Sequence, residues 1–203
     1  FVLSDHRGIL EFTSSLPNLA VDETIRSVRF FGERAFVVTY RDLDPLFAVD
    51  LSDPADPEIV GHLTLPGFSQ YIQFVAPNRL LTVGRNTPTG VQGPVMVSLV
   101  DVIDPIRPVR IDNFTLPRYS ISEAGIDHHA FGWFGFHDVL ALPSARTYRE
   151  RFDRDGDGYR ESSEWMTEHK LYSFRIDVEA AVGEGAITLQ GTVEHETAVR
   201  RSV

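Results

Sequence analysis

The apolar residues of this chain fall in strand-length runs. Residues 35–40 (Ala-Phe-Val-Val-Thr-Tyr), 80–83, 95–102 and 171–176 are dense in β-branched and aromatic side chains, which suit a pleated, half-buried surface. Turn residues separate them, with Gly32-Glu33-Arg34 before the first run and Pro77-Asn78-Arg79 before the second. The runs follow one order of four. An inner strand ending in Phe is predicted at 27–30, 71–74 and 128–131. A second strand follows at 35–40, 80–83 and 139–142, and a third at 46–49, 95–102 and 171–176. The fourth falls at 59–65, 109–116 and 187–193. Residues 1–17 read as the outer strands of a preceding unit.

A constant offset underlies this order. Asp50, Asp53, Pro54, Pro57 and Thr64-Leu65-Pro66 fall on Asp101, Asp104, Pro105, Pro108 and Thr115-Leu116-Pro117, every pair 51 residues apart with no gap. Periods of about 40–50 residues mark propeller blades. Four short antiparallel strands do not cover their own two faces, so neighbouring units must stack. A β-sandwich also shows many short strands, but nothing in it demands a fixed repeat. The fold predicted is all-β: a β-propeller of four-stranded antiparallel blades with a period of about 51. Its blades span 21–67, 68–120 and 121–196, with the outer strands of an earlier blade at 1–20 and the start of another at 197–203. The chain opens at Phe1, without Met or signal peptide, so a truncated stretch of propeller is the expectation.

Charge and composition narrow the chemistry. Lys and Arg number 19 against 29 Asp and Glu, a net charge of −10, and no basic stripe is present. That balance excludes nucleic acid as a partner and tolerates divalent cations. There is no cysteine, which excludes disulfides, zinc thiolates and thiol catalysis. The apolar runs fall far short of the ~20 residues of a membrane helix.

One motif carries chemistry. An insertion over 144–169, between the second and third strands of the third blade, contains Asp153-Arg-Asp155-Gly-Asp157-Gly158-Tyr159-Arg160-Glu161-Ser-Ser-Glu164. Read as a calcium loop of the EF-hand kind, carboxylates fill positions 1, 3, 5 and 12 and glycine fills position 6. A hard cation takes six to eight oxygens, and this spacing wraps the chain around one. Asp153, Asp155, Asp157 and Glu164 would supply carboxylates, Tyr159 its carbonyl, and Glu161 would act through water. Arg160 stands where paired loops place an apolar residue, so a solitary structural calcium site is predicted.

Four further segments resemble a known family. Residues 23–30 (Glu-Thr-Ile-Arg-Ser-Val-Arg-Phe), 44–47 (Asp-Pro-Leu-Phe), 50–54 (Asp-Leu-Ser-Asp-Pro) and 127–131 (Asp-His-His-Ala-Phe) are together similar to secreted bacterial and archaeal proteins with a C-terminal β-propeller domain. The similarity runs over nearly the whole chain outside 144–169. It implies an extracellular, secreted or cell-surface location and a further blade beyond residue 199, and it implies no catalytic residue.

Other candidates are weaker. Asp127-His128-His129 invites a metal or acid–base reading. On the predicted strand, however, the two histidines point to opposite faces and do not share one ion, so both are assigned structural roles. The aromatic segment 132–136 is read as packing. No nucleophile elbow, P-loop or dinucleotide fingerprint occurs. Two functions stand open at this point. One is a non-enzymatic, calcium-stabilised binding or structural module for a protein or carbohydrate ligand. The other is a propeller hydrolase or lyase working at the channel mouth through Asp127 and His128. The lack of a nucleophile or metal cluster favours the first.

Overall fold

The computed structural model describes every residue except 18, 20–21, 41–43, 66–67, 87–92, 154–161 and 198–203. β1 (Val2–His6) and β2 (Ile9–Ser14) form an antiparallel hairpin. Its turn places Arg7 at φ 58° and Gly8 at φ 84°, the left-handed pair a two-residue hairpin turn requires. The first four-stranded sheet is an antiparallel meander of β3 (Thr24–Phe31), β4 (Arg34–Tyr40), β5 (Asp44–Asp50) and β6 (Glu58–Leu65). The second repeats it with β7 (Phe68–Ala76), β8 (Arg79–Arg85), β9 (Val95–Asp101) and β10 (Val109–Thr115).

The third sheet departs from the pattern. Two short strands, β11 (Ser120–Ile121) and β12 (Gly132–Phe134), both pair with β13 (Val139–Phe152), which continues to β14 (Ser162–Ile176) and β15 (Ile187–His195). The inner strand expected at 128–131 is absent. Two 3-10 turns, Glu123–Gly125 and His128–Ala130, occupy its place. The reason is local: Ser122 and Asp127 each cap a turn, accepting the amides of Ala124 and His129. Such side-chain-to-backbone bonds compete with the ladder of a strand.

The repeat extends to individual hydrogen bonds. Asp50 Oδ1 accepts the Ser52 amide and Asp101 Oδ1 the Ile103 amide, both at 2.8 Å. Asp53 Oδ1 accepts from Ala55, and Asp104 Oδ1 from Ile106. The Ser52 amide holds the Asp50 carboxyl below its ordinary pKa. Bulges repeat as well. The pairing slips at Arg26 in β3 and at Gln70 in β7.

Packing explains why the middle sheet is apolar on both faces. Phe36, Val38, Leu46 and Ala48 of the first sheet close on Ile72, Leu80, Val100 and Val102 of the second. Leu81, Val83, Val97 and Leu99 on its other face close on Leu140, Leu142, Phe174 and Ile176 of the third. Val95–Val100 is buried throughout, as a strand covered on both sides must be. Each fully buried Leu or Val stabilises by about 1.5–3 kcal/mol. The sheets stack without closing into a barrel. Their approach is close at Gly61, where an added Cβ would lie 2.1 Å from the Pro105 carbonyl oxygen of the next sheet.

The shared ending of the inner strands predicts equivalent buried positions for Phe30, Phe74 and Phe131, yet Phe30 is 70% exposed and Phe131 only 8%. Phe30 and Phe74 do share a register position, opposite Ala35 and Leu80. Phe74, however, meets Phe31 and Phe36 of the preceding sheet at 4.9 and 5.6 Å between centroids, whereas Phe30 lines an apolar seam beside Phe1. In its described part the insertion over 144–169 is built by extension of two strands. β13 and β14 simply continue, 14 and 15 residues long against seven in β4, and pair as far as Phe152↔Ser162. An ion-pair ladder crosses this arm: Glu168 receives Arg146 and Lys170, and Lys170 also reaches Glu194 at 3.1 Å. The predicted continuation at 197–203 lies, beyond Thr197, outside the described residues.

Candidate functional site

Strands β3 and β7 lead their sheets, and their bulges re-aim side chains away from the stacking cores. Arg26, Arg29, Gln70 and Tyr71 from these strands line one groove of about 460 Å³ together with Gly125, Ile126 and His128 from the two 3-10 turns. Two sheets and the pair of 3-10 turns that precedes the third contribute. The groove is held by contacts between sheets. The Ser27 hydroxyl accepts the Ile72 amide at 3.3 Å, and the Arg29 guanidinium donates to Gln73 Oε1 at 3.3 Å. The Tyr71 hydroxyl donates to that same oxygen at 3.1 Å.

Arg29 is firmly placed. Its Cζ lies 4.6 Å from the centroid of the Tyr71 ring, a cation–π contact worth about 0.5–1 kcal/mol where exposed, and its Nη1 donates to the Val28 carbonyl. Phe131 packs on Tyr71 at 5.0 Å between centroids. A guanidinium oriented this way presents a fixed fork of donors. Gln70 comes so close to Gly125 that an added Cβ there would meet its Oε1 at 2.4 Å. A larger cavity, about 660 Å³, lies between the β1–β2 hairpin and the first sheet. Its walls are apolar, among them Leu16, Val28, Phe30 and Val37. It is a packing seam without converging polar groups.

At the rim of the groove stand Asp127, His128 and His129. The 3-10 turn brings the two imidazoles together, ring centroids 3.8 Å apart. The strand geometry that separated them does not hold. Asp127 Oδ1 accepts the His129 amide at 3.0 Å and lies 2.8 Å from His129 Nδ1. Alignment with Val28 and Ile72 predicts His129 in the packed face, but it is exposed.

Of the predicted calcium ligands, two are described. Asp153 follows the last paired residue of β13, and Glu164 sits two residues into β14, opposite Glu150. Both belong to the outer end of the long hairpin. Asp155, Asp157 and Tyr159 lie outside the described residues. The segment is therefore flanked by strands, not by the helices of an EF-hand.

Of the groove residues only His128 is singled out by the sequence reading, although a signal for the others exists. Overlaying the inner strands sets Arg26 on Gln70 and Arg29 on Gln73, polar side chains that recur at matched positions of two inner strands. Among the described residues no helix is long and apolar enough to cross a membrane.

Comparison with known proteins agrees with this architecture. An uncharacterised protein of Archaeoglobus fulgidus is 39% identical over 137 residues, 68% of this chain and 21% of its own length. An uncharacterised protein of Methanocaldococcus jannaschii is 33% identical over 135 residues, 66% of this chain and again 21% of its own. The chain thus spans about a fifth of the length of these relatives. The model of the β-propeller domain family matches residues 1–203, and with the repeated, stacked four-stranded sheets the chain belongs to that family.

Proposed function

We propose that this chain is a binding module of an extracellular, calcium-stabilised β-propeller, and that its groove seats a carboxylate-bearing ligand on a carbohydrate or a peptide. One observation carries the reading: Arg29, Gln70, Tyr71 and His128, drawn from two sheets and a 3-10 turn, converge on a single groove. Propellers place the first strands of their blades around the central axis, where neighbouring blades pool side chains. A volume of about 460 Å³ falls within the ~300–1,000 Å³ typical of small-ligand sites. The chemistry selects the ligand. In a chain of net charge −10, two arginines in one groove form a local exception, and an oriented guanidinium matches a carboxylate bidentately.

Calcium at the hairpin tip is the second part of the proposal. What supports it is the spacing of Asp153, Asp155, Asp157, Tyr159 and Glu164, together with a pairing in the arm. Glu150 and Glu164 stand directly opposite each other, and like charges so placed destabilise a ladder. A dication held by Glu164 relieves that repulsion. Extracellular modules bind calcium at ~10⁻⁴–10⁻³ M, which fits an exterior setting and the implied secretion.

The groove is tested by titrating acidic oligosaccharides and acidic dipeptides into isotopically labelled protein and following amide resonances. Shifts clustering on 26–29, 70–73 and 124–128 support the reading. Shifts confined to the apolar seam or to the arm around Trp165 contradict it.

A further inference from the structure

Consecutive side chains on an extended strand point to opposite faces. A 3-10 turn does not separate them so, and the turn over His128–Ala130 sets both imidazoles on one side of Asp127. One donor atom from each of Asp127, His128 and His129 lies within 4.8 Å of the other two. The side chains have room to adjust, Asp127 being 36% and His129 59% exposed.

We infer that Asp127, His128 and His129 form a binding site for a first-row divalent metal ion of the zinc class at the rim of the groove. The donor set decides the class. Imidazole with carboxylate suits zinc, copper or nickel, whereas calcium takes oxygen ligands. Geometry agrees. Donors on a tetrahedral ion with ~2.0 Å bonds stand about 3.3 Å apart. Asp127 Oδ1 and His129 Nδ1, now 2.8 Å apart, share one proton. A cation takes the place of that hydrogen bond, the imidazole keeping its one proton on Nε2, and moves the two atoms apart by about half an ångström. Rotation of the exposed rings brings the remaining donor, already within 4.8 Å of the other two, into range. The groove's two arginines oppose a dication and the Asp127 carboxylate offsets them in part, so a modest affinity is expected.

Three protein ligands leave a fourth position for water or another ligand. His128 also lines the groove, so that position is adjacent to the space occupied by Arg29 and Gln70. The metal site does not depend on the groove's ligand, because the metal alone reports it.

The experiment is zinc titration by calorimetry with calcium present throughout, and cobalt absorption as the readout of coordination. Wild type is compared with His128→Asn, His129→Asn and Asp127→Asn. Wild type should take up one equivalent. Each histidine variant should bind at least about tenfold more weakly, and Asp127→Asn about 10–100-fold more weakly. Thermal melts in metal-free buffer should coincide for all four, since the histidines are exposed. His169 and His195 are cross-strand partners in the arm, so a variant with both changed to Asn is the control and should bind as wild type does. No zinc uptake at sub-millimolar metal overturns the inference. So does unchanged binding in the His128 and His129 variants, or loss of zinc only in the His169/His195 control.

Discussion

Arg29 of the first sheet and Gln73 of the second hold the same position in their inner strands, and the guanidinium of one donates to the side-chain carbonyl of the other at 3.3 Å. The repeat therefore does more than stack apolar faces. It also brings equivalent polar side chains from neighbouring blades into contact, and Tyr71 lies between them, under the guanidinium and hydrogen-bonded to the same oxygen.

This junction is separable by mutation. Tyr71→Phe keeps the ring under Arg29 and against Phe131 but removes one hydrogen bond, so a loss of about 1 kcal/mol is expected. Tyr71→Ala also removes the partly buried ring and should cost about 2–3 kcal/mol. Urea midpoints of the two variants check the difference. Equal losses would mean that the ring contributes nothing beyond its hydroxyl.

Gly61 and Gly191 occupy the same place in their blades, opposite Ala48 and Ser173. Only Gly61 has another sheet against it. An added Cβ there would meet the Pro105 carbonyl oxygen at 2.1 Å, while at Gly191 it would meet nothing within 4 Å. Gly61→Ala should therefore destabilise by about 1–3 kcal/mol through forced separation of the sheets. Gly191→Ala should stay within about 0.5 kcal/mol of wild type. Paired denaturation curves test this, and equal effects would argue against blade-to-blade packing at this point.

The sequence revealed strands wherever one chemistry dominated. β4, β8 and β9 are apolar runs that the two-sided burial of stacked sheets demands, and the Asp-Pro turns recur because the same carboxylate–amide bonds recur. It misled where local bonds outcompeted the ladder. Residues 128–131 align with the other inner strands, yet Asp127 caps a 3-10 turn, and the relative placement of His128 and His129 was misread with it. The extent of β13 and β14 was hidden for a different reason. Residues 144–152 and 162–169 are mostly polar or charged, and Trp165 and Met166 among them are exposed, so no continuous buried face imposes an alternation. The groove stayed invisible because its members are far apart in the chain and are brought together only by stacking.

Acid should weaken the arm. Burial raises the Glu168 pKa, but the Arg146 and Lys170 hydrogen bonds outweigh it and leave the carboxyl below its ordinary value. A depressed folded pKa contributes stability above the unfolded value, about 4.3, and that contribution disappears as pH falls through the folded pKa. The wild-type urea midpoint should therefore fall more steeply below about pH 4.5 than that of Glu168→Gln. Parallel curves would show that the ladder is not coupled to folding.

Calcium should protect the hairpin tip more than the stacked sheets. Binding to the folded loop alone stabilises by about 2.7 kcal/mol at a hundredfold excess over Kd. Most of that should order the segment from Arg151 to Trp165. Chelation should therefore speed proteolysis there with little change in the melting temperature of the whole chain. Asp155→Ala should behave as the chelated protein does, with or without calcium. Limited proteolysis followed by mass spectrometry reads the cleavage sites. Cleavage at the tip that ignores calcium would remove the proposed site.

The groove is the proposed seat of ligand binding, and the calcium loop is its proposed support. The most direct measurement is the dissociation constant of one acidic oligosaccharide or dipeptide, determined side by side for wild type, Arg29→Ala and Asp155→Ala. Arg29→Ala should weaken binding by about tenfold or more, the scale of one charge-assisted hydrogen-bond pair, while Asp155→Ala should retain the wild-type affinity. Wild-type affinity in Arg29→Ala, or loss of binding in Asp155→Ala alone, would contradict the assignment of the groove.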